Sequence, residues 1–286
     1  MIRQHGAMPI AIECTDDAHH VLARAGAFLA GEPVRHNLVQ TILADRARSG
    51  EPGRYWLAVE GDAVIGLALQ SPLDFFATAT PIPDHAVVAM VDTIVEQGIG
   101  LPGVNAEAAV AARFAGHWTE RTRSAARPVG GGRIYAVAQV VAPTGVSGRV
   151  RVATDADRAL LMEWTDAFVA EARAPMSVTT DRFVDLRTAA HQLWIWEADG
   201  AVAYAGRTAP VGGAVRIGPV YTPPASRGCG YASALVAAMS TAVLDDGHAC
   251  LLYTDLENPT SNGIYRALGY EAVAETMHYD FATPSS

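Results

Sequence analysis

Val220-Tyr221-Thr222-Pro223-Pro224-Ala225-Ser226-Arg227-Gly228-Cys229-Gly230-Tyr231-Ala232 reads as a strand that runs into a glycine-bearing loop and then opens a helix. Such a junction gathers several backbone N–H groups at the positive end of a helix dipole, which makes an anion site suited to a pyrophosphate. Gly228 and Gly230 let the backbone approach a ligand with no Cβ in the way. The Gly-Lys-Ser/Thr ending of a Walker loop is absent, and so is the three-glycine dinucleotide pattern.

About thirty residues on lies a second block, Leu252-Tyr253-Thr254-Asp255-Leu256-Glu257-Asn258-Pro259-Thr260-Ser261-Asn262-Gly263-Ile264-Tyr265-Arg266-Ala267-Leu268-Gly269-Tyr270. Asn258 followed by Pro259 predicts a helix start, a side-chain cap and then proline at the first helical position. Tyr265 lies seven residues after Asn258 and three after Asn262, so all three share roughly one helical face. The helix after the first loop carries Leu235, Met239 and Val243 at i, i+4, i+8, an apolar face for a core, and Gly247 predicts its stop.

The two blocks together resemble the GCN5-related N-acetyltransferases. Arg227, Gly230 and Ala232 fill the three places of that family's Gln/Arg-x-x-Gly-x-Gly/Ala motif A, and the second block resembles its motif B. The Asn-Pro-Thr-Ser-Asn segment and the long N-terminal extension resemble the FR47-like, two-domain branch. The motifs cover about residues 214–281.

The resemblance implies an acetyl-CoA-dependent N-acetyltransferase that moves the acetyl group directly to a primary amine in a ternary complex. The amine belongs to a small molecule, a peptide or a protein. It implies that the amides of Arg227, Gly228, Cys229, Gly230, Tyr231 and Ala232 hold the pyrophosphate, Cys229 through its backbone. A backbone N–H in the range Val220, Tyr221, Thr222 polarises the thioester carbonyl, and Asn258 and Asn262 contact the pantetheine. Tyr265 is the general acid toward the CoA thiolate. Asp255 and Glu257 are candidate bases as they leave the preceding strand, and Glu171 is another. Gly218-Pro219 predicts a bulge that splays two strands and admits the pantetheine arm. The alternative is a non-catalytic acyl-CoA-binding or regulatory protein that keeps the fold.

At 286 residues the chain is long enough for two ordinary domains. Half its residues are apolar and 18% are charged, which supports a sizeable core and excludes gross disorder. A net charge of −9 argues against a nucleic-acid surface; it suits a cationic partner such as an amine, but is first of all the acidic balance that keeps many proteins in solution. All 21 basic residues are arginine, so the chain cannot acetylate itself on a lysine side chain. Cys14, Cys229 and Cys250 form neither a disulfide framework nor a metal cluster, and no metal is expected. No signal core or membrane-length run appears, so a cytoplasmic protein, monomer or homodimer, is expected.

The same plan occurs twice. Tyr55–Gly66 and Leu193–Tyr204 each read as strand, tight turn, strand, with Trp56 falling on Trp194 and Pro72 on Pro210. This predicts an α/β fold with mixed sheets in tandem, a degenerate copy over 1–146 and a catalytic copy over 147–286, cut near Thr144-Gly145-Val146-Ser147-Gly148. Strands are expected over 134–141 and 149–153, and helices near 16–30, 35–48, 84–97, 106–121, 155–171 and 178–190, with Asp155 as the cap of the fifth. The first copy is read as degenerate because Ala79-Thr80-Pro81-Ile82-Pro83-Asp84 carries no glycine or arginine where the second has its loop.

Overall fold

The structure is a computed structural model that describes residues 10–172 and 178–282. The chain falls into two compact units, residues 1–133 with 274–286, and residues 134–273.

The first unit runs β1 (Ile10–Thr15), α1 (Ala18–Gly31), α2 (Asn37–Ser49), β2 (Arg54–Glu60), β3 (Ala63–Gln70), β4 (Ala77–Ala79), α3 (Asp84–Glu96), β5 (Gly103–Glu107), α4 (Ala108–Thr122) and the start of β6 (Ala126–Val137). The second runs β7 (Arg149–Val152), α5 (Arg158–Ala172), α6 (Thr180–Ala189), β8 (Leu193–Ala198), β9 (Gly200–Arg207), β10 (Ala214–Tyr221), α7 (Tyr231–Asp245), β11 (Ala249–Asp255), α8 (Pro259–Ala267) and the start of β12 (Glu271–Phe281). The order of element types is identical in the two, so the internal repeat is real at the level of the fold.

Each unit is a mixed sheet covered on both faces. In the first, β1-β2-β3-β4-β5-β12 are neighbours, β4 and β5 being parallel. In the second, β6-β11-β10-β9-β8-β7 are neighbours, β10 and β11 being parallel. The period-2 alternation of a strand sends successive side chains to opposite faces. On β2, Tyr55, Leu57 and Val59 pack with α1 and α2 residues Val21, Ala25 and Leu43. Trp56 and Ala58 pack with α3 and α4 residues Met90, Val91 and Phe114. The second unit repeats this. Ile195, Tyr204 and Tyr221 meet Leu161, Trp164 and Val184 of α5 and α6. Trp196, Ala205 and Ile217 meet Leu235, Met239 and Val243 of α7. Strands covered twice read as near-continuous apolar runs, as Tyr55–Val59 does.

The units differ from a cut after residue 146. The end of the last strand pairs antiparallel with β5, Met277 opposite Ala106, and belongs to the first unit. Ile134–Val137 of β6 lies beside β11 and belongs to the second. The Gly/Ser stretch at 144–148 marks a turn, whereas a strand's partner is not written in its local composition. The strand expected over 134–141 runs from Ala126 to Val137, and β1 and β5 were not anticipated. The cap before α5 is Thr154 rather than Asp155. Its side chain and the Asp157 carboxylate close a reciprocal capping box over a 3-10 turn that leads into the helix.

Candidate functional site

β10 pairs in parallel with β11 only from Ala214 to Ile217, opposite Ala249 to Leu252. Its pairing with β9 resumes at Val220 and Tyr221 after a register shift between Ile217 and Val220. The irregularity falls on Gly218-Pro219, where a bulge was expected. Beyond it β10 and β11 have no shared ladder. The free edges leave backbone groups of Val220, Tyr221 and Thr222 available to a ligand on the β11 side.

The strand ends in a short 3-10 turn, Pro224–Ser226, and the chain then passes through Arg227, Gly228, Cys229 and Gly230 into α7. Gly228 and Gly230 both stand at φ +80°, the left-handed region that favours glycine. Gly230 is the N-cap residue and no side chain caps this helix. The amides of Tyr231, Ala232 and Ser233 therefore begin the helix with no side-chain acceptor at the cap, a donor cluster at the positive end of the dipole. The Arg227 amide is the exception among the six residues expected to cradle a pyrophosphate, since it donates to the Pro224 carbonyl at 3.3 Å. The Cys229 thiol is exposed and its Sγ reaches only the Arg227 carbonyl, at 3.8 Å.

Around this loop the side chains form a ring. Arg227 donates from Nε to the Thr222 carbonyl at 2.9 Å and from Nη2 to Glu171 at 2.7 Å. Its guanidinium lies 5.8 Å from the Tyr221 ring centroid, and the Tyr221 hydroxyl is 3.4 Å from Glu171. Desolvation, then the nearby Glu171 carboxylate, raises the Tyr221 phenol above its ordinary pKa. Arg227 and Glu171 are each about half exposed, so their pair contributes little to stability and is free to rearrange. Thr222 Oγ1 is buried with no hydrogen-bond partner among the described residues, which marks a polar group awaiting an external one.

The Asn258 side chain caps α8 by accepting from the Ser261 amide at 3.0 Å, with Pro259 next, as the dipeptide predicts. Tyr265 is buried, its ring centroid 6.3 Å from that of Tyr135 and 6.0 Å from that of Tyr270. Its hydroxyl has no hydrogen-bond partner among the described residues. Desolvation alone pushes the phenol up to about 12, so it holds its proton at neutral pH. Asn262 is turned inward: its Nδ2 donates to the carbonyls of Asp255, at 2.8 Å, and Asn258, at 2.7 Å, and its Oδ1 accepts from the Tyr135 hydroxyl at 3.0 Å. This amide braces the β11–α8 junction. Asp255 and Glu257 are both exposed, and the Asp255 carboxylate accepts the Glu257 amide at 2.8 Å.

Val220, Tyr231 at the start of α7 and Tyr265 thus share one hydrophobic cluster, Tyr221 packs on the opposite face of the sheet with α5 and α6, and Asp255 and Glu257 are exposed. Reasoning from sequence missed Tyr135, 127 residues from the Asn262 it holds, and no local signal marks such a partner. It also missed the Thr222 side chain, which a polar residue at the end of an apolar strand does signal.

Residues 195–279 match the family model of FR47-like proteins. Known structures resemble nearly the whole chain. An acetyltransferase from the GNAT family from Colwellia psychrerythraea is 10% identical, over 95% of this chain and 100% of that one, with a TM-score of 0.58. A GCN5-related N-acetyltransferase from Sphaerobacter thermophilus is 18% identical, over 98% of both chains, at 0.59. A tandem GNAT protein from the clavulanic acid biosynthesis pathway is 13% identical, over 96% of this chain and 100% of that one, at 0.54. No curated protein matches. The fold is the tandem fold of the GCN5-related N-acetyltransferases, and within its second unit residues 195–279 resemble the FR47-like proteins. Among the described residues no helix is long and apolar enough to cross a membrane.

Proposed function

We propose that the second unit transfers an acetyl group from acetyl-CoA to an amine, and that the first unit is a degenerate copy of the same fold. The observation that carries the reading is the uncapped, glycine-led start of α7 beside a splayed strand pair, with the unpartnered Tyr265 hydroxyl in the same core. The amides of Gly228, Cys229, Gly230, Tyr231 and Ala232 take the pyrophosphate, and a backbone N–H of Val220–Thr222 polarises the thioester carbonyl. One such donor is worth about 3 kcal/mol in the transition state. The amine nitrogen attacks the carbonyl carbon and loses a proton to a carboxylate or to water. The carbon–sulfur bond breaks, and the departing thiolate takes the Tyr265 proton. Asn258 and Asn262 hold α8 in register with β11, and Asn258 is the one exposed to pantetheine. In the first unit the β4–α3 turn, Thr80–Pro83, has no glycine and starts α3 from Pro83, so it offers no comparable cradle.

The exposure of Asp255 and Glu257 favours the second reading, an acyl-CoA binder without turnover, because neither carboxylate is fixed as a base. A calorimetric and thermal titration with acetyl-CoA, with ATP as control, tests both. Ligand at about a hundred times its dissociation constant should stabilise the fold by roughly 2.7 kcal/mol, and Gly230→Trp should abolish the response. CoA release with an amine panel then separates enzyme from binder. Equal stabilisation by ATP would sink the acyl-CoA reading.

A further inference from the structure

The first unit carries a half-open cleft of about 440 Å³, within the roughly 300–1,000 Å³ range of small-ligand sites. Two segments line it. One is the β1–α1 turn, with Asp16 and Asp17. The other is the end of α2 and the loop to β2, with Arg46, Glu51, Arg54 and Tyr55.

Two buried side chains there have donors without acceptors. Arg46 is 7% exposed, its Nε donating to Ser71 Oγ at 2.5 Å and its Nη1 reaching Asp45 at 2.7 Å and Glu51 at 2.8 Å. Its Nη2 has no acceptor among the described residues. Tyr55 is 1% exposed and its hydroxyl has no partner. Burial raises that phenol's pKa, and Arg46, Asp17 and Asp16 act on it next, in that order, so the hydroxyl sits in the field of the cavity's own charges. Gly53 lies directly against it, since a Cβ there would collide with the hydroxyl. A buried donor left unmatched costs more than a matched one contributes, so the Tyr55 hydroxyl calls for an external oxygen, while Arg46 Nη2 is a charged donor open to the cleft.

We propose that this cavity binds a small amino-acid zwitterion, its carboxylate on Arg46 Nη2 and the Tyr55 hydroxyl and its ammonium on Asp16 and Asp17. A simple anion would meet Asp16, Asp17 and Glu51. A simple cation would leave the Tyr55 hydroxyl unmatched and meet the Arg46 charge. With Arg46 and Arg54 set against three carboxylates, the lining is close to balance and suits a ligand of both signs. The inference does not depend on acyl transfer, and none of these residues belongs to the phosphate loop.

The test uses the full chain and the twenty free L-amino acids at millimolar concentration, by thermal shift and then calorimetry. At least one should bind, and its carboxamide and N-acetyl forms should bind about tenfold more weakly or worse. Tyr55→Phe should weaken binding by a similar factor without lowering the melting temperature, because the lost hydroxyl has no partner to lose. Asp16→Asn, at an exposed turn, gives a second variant whose fold is not at risk and should weaken binding likewise. The proposal is overturned if no amino acid binds. It is overturned equally if both variants bind as the wild type does, or if the carboxamide, the N-acetyl form or malonate binds as tightly as the amino acid.

Discussion

Tyr265 is the residue on which the proposed transfer depends. Its ring is buried, while its hydroxyl makes no hydrogen bond within the described residues, so removing the hydroxyl takes no partner from the fold. Tyr265→Phe should therefore leave acetyl-CoA affinity unchanged in calorimetry while kcat falls by about 10²- to 10⁴-fold, the range for a lost general acid. An equal loss of affinity would assign the hydroxyl to binding instead. The same burial has a consequence for pH. The folded phenol titrates at about 12 against about 10 in the unfolded chain. The raised value means that its stabilising preference for the protonated form is complete below about pH 10 and is lost as pH rises through about 12. Tyr221 and Tyr204 are raised in the same direction by desolvation. Urea denaturation should be flat from pH 7 to about 9 on this account and weaken above about 10. A fold equally stable at pH 11 would contradict it.

At the scale of elements, the entry to α5 is held by ion pairing as much as by capping. Arg151 donates from both terminal nitrogens to Asp157, at 2.7 and 2.8 Å, and Asp157 also accepts the Thr154 amide at 2.8 Å. The Arg151 guanidinium holds the Asp157 carboxyl at about 2. A depressed value gives stability that is present above about pH 3.9 and is lost as pH falls through about 2. Asp157→Ala should cost about 1–2 kcal/mol, the usual value of a cap, seen as a lower urea midpoint at pH 7 and a smaller acid dependence between pH 4 and 2. No change in either would show that the pair only decorates the surface.

For the whole molecule, the last strand decides what a fragment can do. Residues 274–281 extend the sheet of the first unit along β5, and Phe281 stacks within that core on Trp118 at 5.1 Å and Phe114 at 6.4 Å. A fragment of residues 1–146 loses that strand and exposes the β5 edge. It should show no cooperative thermal transition by circular dichroism, whereas the full chain should. A sharp transition in the fragment would mean that a cut after residue 146 yields an independent folding unit.

What the sequence by itself determined is whatever depends on neighbours along the chain. Glycine at φ +80°, proline after an asparagine cap, a period of 3.6 on α7 and a continuous apolar run on β2 are local chemistry, so the glycine-loop geometry, the Asn258 cap, the α7 core face and both hairpins were legible. What only the tertiary structure decided rests on contacts between residues far apart. The pairing of β12 with β5, the hold of Tyr135 on Asn262, the Arg227–Glu171 pair and the cavity around Arg46 and Tyr55 are of that kind. A strand's composition says that it will be covered but not by which partner, and an amide's identity says that it will be satisfied but not by whom. Those choices are made by the packing of the whole sheet.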